Sequence, residues 1–320
     1  MPTIPKRRLG RTNLYVTELG LGCNMMTNRY GVARSDALAI IERAFAAGVN
    51  FVDTAPLYGA GEGEELVGRV LERIRPEAYI STKTGHFDMT IVRWHGDAAY
   101  RDEGFMRRAF EHSLHLLRRD RVNLLMIHEP EWPQWDLDRR TGDAPVMRFA
   151  ESLKREGLIG WIGMGGKNME VMTDLIETDR FDVVLVNKHY DLAVQDARDR
   201  LLPAAKRHDV GVVIGGPFRQ GVLAMKQRDV IAEIRRTGQY RLGFEDTEVV
   251  HRVEAIYDLS DETGIAMPEM AIRFMLRDPD ISTIIPGPRS VKEFDANLAA
   301  MAKGPLDPRI QERIERIARG

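Results

Sequence analysis

The 320-residue chain carries 46 basic and 48 acidic side chains for a formal charge of -2, with 43% hydrophobic and 29% charged residues. That balance leaves no electrostatic footprint for nucleic acid or an anionic membrane, and no stretch approaches the ~20 apolar residues of a membrane-spanning helix. The opening Met1-Pro-Thr-Ile-Pro-Lys-Arg-Arg8 is basic but lacks a secretory core of ~7–15 apolar residues. A single cysteine, Cys23, excludes an internal disulfide, and together these features point to a cytoplasmic protein.

In chain order, residues 7–16 read as a hairpin turning at Gly10-Arg-Thr-Asn13. Eight short apolar runs follow, at 18–22, 50–53, 78–82, 122–127, 159–164, 183–186, 211–214 and 283–285. Between them lie amphipathic stretches at 36–47, 64–73, 103–117, 145–156, 169–177, 195–208, 247–263 and 291–301. Ser35 is placed to cap the first helix and Gly48 to end it. A last helix follows Pro308. The alternation predicts one (β/α)8 TIM barrel domain over residues 1–320, with an N-terminal β-hairpin and an extra C-terminal helix; a doubly wound sheet is the competing arrangement. Two links exceed the bare repeat, 84–102 and 217–246, and long links in compact domains carry function or disorder. The first contains His86, Phe87, Trp94, His95 and Tyr100, and is too aromatic for a passive connection.

Three successive apolar runs end in titratable groups: Asn50-Phe-Val-Asp53, Tyr79-Ile-Ser-Thr-Lys83 and Asn123-Leu-Leu-Met-Ile-His128. In a parallel barrel such groups converge at the C-terminal strand face. Tyr58 follows Asp53 by five residues, in a loop stiffened by Pro56 and turned by Gly59. A tyrosine beside a lysine can hand a proton to a carbonyl oxygen, the ammonium drawing the phenol pKa down from its usual ~10. Singly, each residue has a plain structural reading as a turn, a packed ring, a surface charge or a core histidine. Four of them at consecutive strand ends point to a proton relay with His128 as the substrate-facing donor.

These residues sit in segments that resemble the aldo-keto reductases, nicotinamide-dependent oxidoreductases on a (β/α)8 barrel. The similarity is carried by Gly48-Val-Asn-Phe-Val-Asp-Thr-Ala-Pro-Leu-Tyr-Gly59, Ser81-Thr-Lys83, Leu125-Met-Ile-His-Glu-Pro130 and Ile285-Pro-Gly-Pro-Arg-Ser290. The resemblance implies a catalytic tetrad of Asp53, Tyr58, Lys83 and His128, and hydride transfer to a carbonyl carbon with Tyr58 as general acid. It implies a cofactor site as well. The usual Ser-Asn pair after strand five is replaced by Gly165-Gly166-Lys-Asn168, so Asn168 or backbone groups stand in; Asn187 is the amide donor on strand six. Gly215 occupies the place of a stacking aromatic, with Pro217 and Phe218 following. Gly287, Arg289, Ser290, Glu293 and Asn297 form the adenosine-phosphate segment. Arg289 tilts the expectation toward NADP(H), whereas the Glu293 carboxylate opposes a 2'-phosphate and fits NAD(H).

Met25, Trp94 and Trp132 are candidate substrate-binding residues, with Met26 and Trp135 nearby. Cys23 reads as a small buried hydrophobe. Gly59-Ala-Gly61-Glu-Gly63 lacks the strand and helix flanks of a dinucleotide fingerprint, and His112 with His115 lacks a third metal ligand, so no metal site is expected. Three readings remain open: a reductase of small aldehydes or ketones, a dehydrogenase of a sugar or vitamin-like alcohol, and a nucleotide-sensing regulatory subunit. The partner is a small carbonyl or alcohol, and the sequence leaves oligomeric state open.

Overall fold

Inward and outward side chains alternate so regularly along the strands that two separate cores result. The structure is a computed structural model describing residues 4–94 and 96–320, so His95 of the aromatic link lies outside the described residues. A hairpin of β1 (Lys6–Arg8) and β2 (Tyr15–Thr17) precedes the parallel strands β3 (Leu21–Gly22), β4 (Phe51–Asp53), β5 (Tyr79–Thr84), β6 (Val122–His128), β7 (Ile159–Gly166), β8 (Val183–Asn187), β9 (Gly211–Gly215) and β10 (Thr283–Ile285). Strands β3 to β10 pair in sequence order. The ring closes where the Gly20 N–H donates to Ile284 O and the Ile284 N–H to Glu18 O, both at 2.9 Å. The fold is the (β/α)8 barrel, with the hairpin and C-terminal helix in their expected places.

Around the strands lie α1 (Arg34–Ala46), α2 (Glu62–Ile74), α3 (Glu103–Leu117), α4 (Pro145–Arg155), α5 (Met169–Ile176), α6 (Leu201–Arg207), α7 (Arg228–Thr237), α8 (Thr247–Thr263), α9 (Met267–Leu276), α10 (Val291–Ala302) and α11 (Pro308–Arg319). Two of these, α7 and α9, were not expected. α9 keeps only a narrow polar stripe, the i,i+4 pair of Glu269 and Arg273, beside seven buried apolar residues, and α7 buries just Ile231 and Ile234. The helix expected over 195–208 begins at Leu201, because Pro203 tolerates only a first-turn position. Ser35 does not cap α1; the extended residue ahead of that helix is Ala33, with no side-chain cap.

The small inner core of Phe51, Leu124, Met126, Val183, Leu185, Val213 and Ile285 fills the barrel, while Val52, Leu125, Ile127, Val184, Val186 and Ile214 point outward under the helices. Leu9 and Val16 of the hairpin segment join the inner core and plug the N-terminal end. Arg7 fastens this plug, donating to the carbonyls of Leu276 (2.6 Å), Asp278 (2.5 Å) and Ile281 (2.8 Å) and pairing with Glu18. The period of two then sets the opposite end. Asp53, Lys83, His128, Asn187 and Gly215 share the parity of the inner residues on their strands, so each faces the barrel mouth.

The outer layer is equally tight between α2 and α3. A Cβ at Gly68 would lie 2.1 Å from the Leu116 carbonyl oxygen, backbone that cannot rotate away. Gly68→Ala is expected to cost about 1–3 kcal/mol in urea unfolding by forcing these helices apart; an unchanged midpoint would show that the contact yields freely.

Candidate active site

At the barrel mouth the side chains of Lys83 and Asp53 meet in a fully desolvated ion pair. Lys83 Nζ donates to Asp53 Oδ2 at 2.6 Å and to the Thr54 carbonyl at 2.8 Å, and both charged residues are 2% exposed. Ser81, two residues before Lys83 on β5, donates to Asp53 Oδ1 at 3.0 Å. Burying each ion costs several kcal/mol, so the pair is sustained by these added hydrogen bonds as well as by Coulomb attraction. Burial alone would drive the proton off Lys83; Asp53 and Tyr58 override it and hold the lysine above its ordinary pKa, as an ammonium.

The ammonium lies 4.8 Å from the Tyr58 ring centroid, and the phenol is its remaining partner. The expected lowering of the Tyr58 pKa is not what the structure shows. Desolvation outweighs the help from Lys83 and pushes the phenol up to about 12. Tyr58 is therefore protonated at neutral pH. His128 stands edge-on to it, ring centroids 6.3 Å apart. Burial, then the charges of Lys83 and neighbouring groups, hold the imidazole well below its usual pKa and hence neutral. Its buried Nδ1 has no partner among the described residues, which favours the tautomer with the proton on Nε2.

These four residues line the floor of a cleft of about 480 Å³. Gly165, Asn187, Gly215, Pro217, Phe218, Gly287, Arg289, Glu293, Asn297 and Met25 line it too. Asn168 does not; it is exposed and its side chain accepts from the Val171 N–H (3.0 Å) to cap α5. Ser290 caps α10, accepting from the Glu293 N–H (3.2 Å), and the Glu293 carboxylate returns to the Arg289 N–H at 2.7 Å. Trp94 and Trp132 also lie away from the cleft. Trp94 packs edge-on against Phe105, and Trp132 against His86, whose ring in turn contacts His128. Their rings join an aromatic cluster with His86, Tyr100 and Phe105 in the loops after β5 and β6, and neither ring lines the cleft. Cys23 lines the cleft, but burial raises its thiol pKa far above the usual range, leaving it protonated.

Sequence reasoning missed Leu185 and Glu129. Leu185 faces inward on β8, in register with Gly165 on β7 and with Val213 on β9, one inward position before Gly215. A Cβ at Gly165 or Gly215 would lie 3.3 or 2.9 Å from its side chain. The two glycines thus accommodate Leu185, a match that inward parity on β8 made discoverable. Glu129 follows His128 in a left-handed conformation (φ 54°), lines the cleft, and pairs with Lys167 at 2.5 Å.

A model of the Aldo/keto reductase family matches residues 18–319. The chain belongs to the aldo-keto reductase family. Among curated relatives it is 30% identical to pyridoxal 4-dehydrogenase of Microbacterium luteolum, over 92% of each chain. It is 28% identical to L-galactose dehydrogenase of Arabidopsis thaliana, covering 95% of this chain and 90% of that one. D-threo-aldose 1-dehydrogenase of a Pseudomonas species is also 28% identical, over 86% of each. The holo form of an aldo-keto reductase from Bacillus halodurans superposes with a TM-score of 0.78 at 23% identity, covering 98% and 96% of the two chains, and shares the fold.

Lys83→Met would strand the Asp53 carboxylate, an expected loss of about 3–5 kcal/mol in urea unfolding. Adding Asp53→Asn should recover most of that loss. A double variant no more stable than Lys83→Met would rule out the buried charge as the cause.

Proposed function

We propose that this aldo-keto reductase is an NAD(P)(H)-dependent oxidoreductase interconverting a small carbonyl compound and its alcohol, with Tyr58 as the proton-transfer group. The reading is carried by one observation, the inward-facing Asp53–Lys83–Tyr58 cluster with neutral His128 on the floor of the cleft.

The cleft fits a nicotinamide dinucleotide. Leu185, Phe218 and Ile285 supply apolar surface for a flat ring, with Asn187 beside them to bond a carboxamide. At the other end stand the Arg289 guanidinium and Asn297, which is 3% exposed and whose Nδ2 lacks a partner among the described residues. An orphaned buried donor of this kind calls for an acceptor from a ligand. Gly22 and Gly287 narrow the wall: a Cβ at Gly22 would lie 2.8 Å from Ile285 O, and one at Gly287 would lie 3.2 Å from the Met25 side chain. When bound, the nucleotide supplies or accepts the hydride.

The protein's own part is proton control. In reduction, Tyr58 bonds the carbonyl oxygen and delivers its proton as negative charge develops there, while His128 Nε2–H orients the same oxygen. In oxidation the phenolate is the base, and the Lys83 ammonium stabilises it. A protonated Tyr58 serves reduction directly. The names of the relatives favour the second reading, dehydrogenation of a sugar or a pyridoxal-like alcohol, with the same residues in the same roles.

Tyr58→Phe should retain nucleotide affinity and lose at least ~10²-fold in kcat. Steady-state rates with both redox forms of both nucleotides, across aldehyde, sugar and alcohol panels, check it; near-normal turnover would remove Tyr58 from the role. Tight nucleotide binding without turnover in the unmutated protein would instead make the barrel a nucleotide sensor. Arg289 is assigned to a 2'-phosphate, consistent with a lean toward NADP(H). Arg289→Ala should weaken NADPH binding by roughly tenfold or more, with little effect on NADH. Equal effects on both in a fluorescence titration would point to NAD(H).

A further inference from the structure

His128 and Glu129 are consecutive, yet both line the cleft. Successive residues of a strand face opposite ways, so a regular β6 that turns His128 inward would turn the next side chain away. Glu129 escapes this alternation because its backbone is left-handed (φ 54°), a conformation costly to almost any residue but glycine. Its N–H donates to the Gly165 carbonyl at 2.7 Å, which fixes the bend at the end of the strand. A strained backbone that brings a carboxylate round beside His128 is an outlier of the kind that serves function.

The carboxylate is held from two sides. Lys167, just past β7, donates to Oε1 at 2.5 Å. His86, in the loop after β5, stands with Nε2 3.6 Å from Oε2, beyond hydrogen-bond reach. Burial holds the His86 pKa below its usual value despite the pull of Glu129, so the imidazole is mainly neutral and the balancing charge is that of Lys167. The His86 and His128 ring centroids are 4.4 Å apart, so a single imidazole separates the Glu129 carboxylate from His128. Glu129 is 8% exposed, and its Oε2 makes no hydrogen bond among the described residues. An acceptor without a donor, on the wall of a cleft that a ligand fills, selects ligands that bring a donor: left bare as water is displaced, the oxygen loses its solvation and gains nothing in return. With Lys167 already balancing the charge, the free oxygen suits a neutral hydroxyl better than a cation.

We propose that Glu129 is a substrate-binding residue that accepts a hydrogen bond from a hydroxyl a few bonds from the reacting carbon, so that the cleft takes hydroxylated carbonyl compounds and their alcohols in preference to plain alkyl ones. The proposal rests on the oxidoreductase reading above. With the reacting oxygen held at Tyr58 and His128, a hydroxyl on the same molecule has only to span the width of one imidazole to reach Oε2. An alkyl chain in the same place strands that oxygen, and the site discriminates against it by the cost of the unpaired group. Lys167 and His86 touch the carboxylate rather than the ligand; they are positioning residues.

Erythrose against butanal reads the preference, because the two share a four-carbon chain and differ in hydroxyls. Glu129→Met should lower kcat/KM for erythrose roughly ten- to hundredfold and leave butanal within about twofold of the parent. Comparing variant with parent cancels the hydration of the free aldehydes. Glu129→Gln, which keeps the shape with a weaker neutral group, should lie between. Lys167→Met retains the carboxylate and should keep the preference for erythrose. A fall of both substrates together in Glu129→Met would overturn the proposal, since a disturbed fold or a displaced His128 spares neither. So would a preference lost with Lys167 but kept without Glu129, or a changed NADPH or NADH affinity at an unchanged substrate ratio, which assigns the carboxylate to the nucleotide. Saturation-transfer NMR of xylitol with nucleotide-free protein reads the same contact without turnover. A signal in the parent that is lost in Glu129→Met supports the proposal; equal signals, or none in the parent, overturn it. Absence of turnover with every nicotinamide nucleotide would sink the oxidoreductase reading instead, and the xylitol result would still decide whether Glu129 binds a hydroxyl.

Discussion

The Lys83–Asp53 pair is the constraint on which the mouth of the barrel is organised. Two opposite charges taken out of water survive when every remaining lone pair and proton finds a partner, because the desolvation cost rivals their mutual attraction. Here Ser81 and the Thr54 carbonyl meet that demand, and the last proton of the ammonium is directed at Tyr58. A lysine that must satisfy a buried carboxylate has little freedom to drift. The phenol it serves is therefore held by the same requirement that keeps the barrel end stable. The proposed proton-transfer order and structural necessity coincide at this residue, and neither would persist if the neighbouring strands slipped by one position, since a slip of one reverses every inward side chain.

Much of this was legible before any coordinates. Asp53, Lys83 and His128 end apolar runs of matching parity, and a barrel sends such residues to one place. Tyr58 needed its loop, whose Pro56 and Gly59 were visible. What could not be read was environment. The direction of the Tyr58 pKa depends on how completely water is excluded, and the sequence alone weighed the nearby ammonium more heavily than desolvation. Glu129 lay hidden for a similar reason: nothing in His128-Glu-Pro130 shows that the backbone turns left-handed and brings the carboxyl round to the cleft. Trp94 and Trp132 read as pocket walls, and their ring contacts are to Phe105 and to His86 and Tyr100. Helix α9 escaped because its polar stripe is only Glu269 and Arg273, too narrow to mark a period.

The two halves of the cleft differ in character. The proton half is built of charged and hydrogen-bonded groups with fixed mutual distances. The other half is lined by glycine backbone and by Leu185, and the missing side chains at Gly165 and Gly215 follow from the room that leucine occupies. Departures from a familiar pattern at those two positions are thus one packing event, centred on the strand between them. Apolar contact with a flat ring is less directional than an amide bond, so under the proposed function orientation there falls more heavily on Asn187 and on the far-end residues Arg289 and Asn297.

The Arg7 clamp ties the first strand of the chain to carbonyls at Leu276, Asp278 and Ile281, some 270 positions later. A growing chain leaving the ribosome therefore exposes its plug long before the surface that receives it has been made. Until that late segment emerges, Leu9 and Val16 have no finished floor to seal, and β3 has no β10 to close against. Synthesis can assemble neighbouring βα units as they appear, but the ring is completed only by contacts of very large sequence separation, the kind that folds slowly and leaves apolar edges open meanwhile. Arg7, Leu9 and Val16 are in this sense the last to find their place.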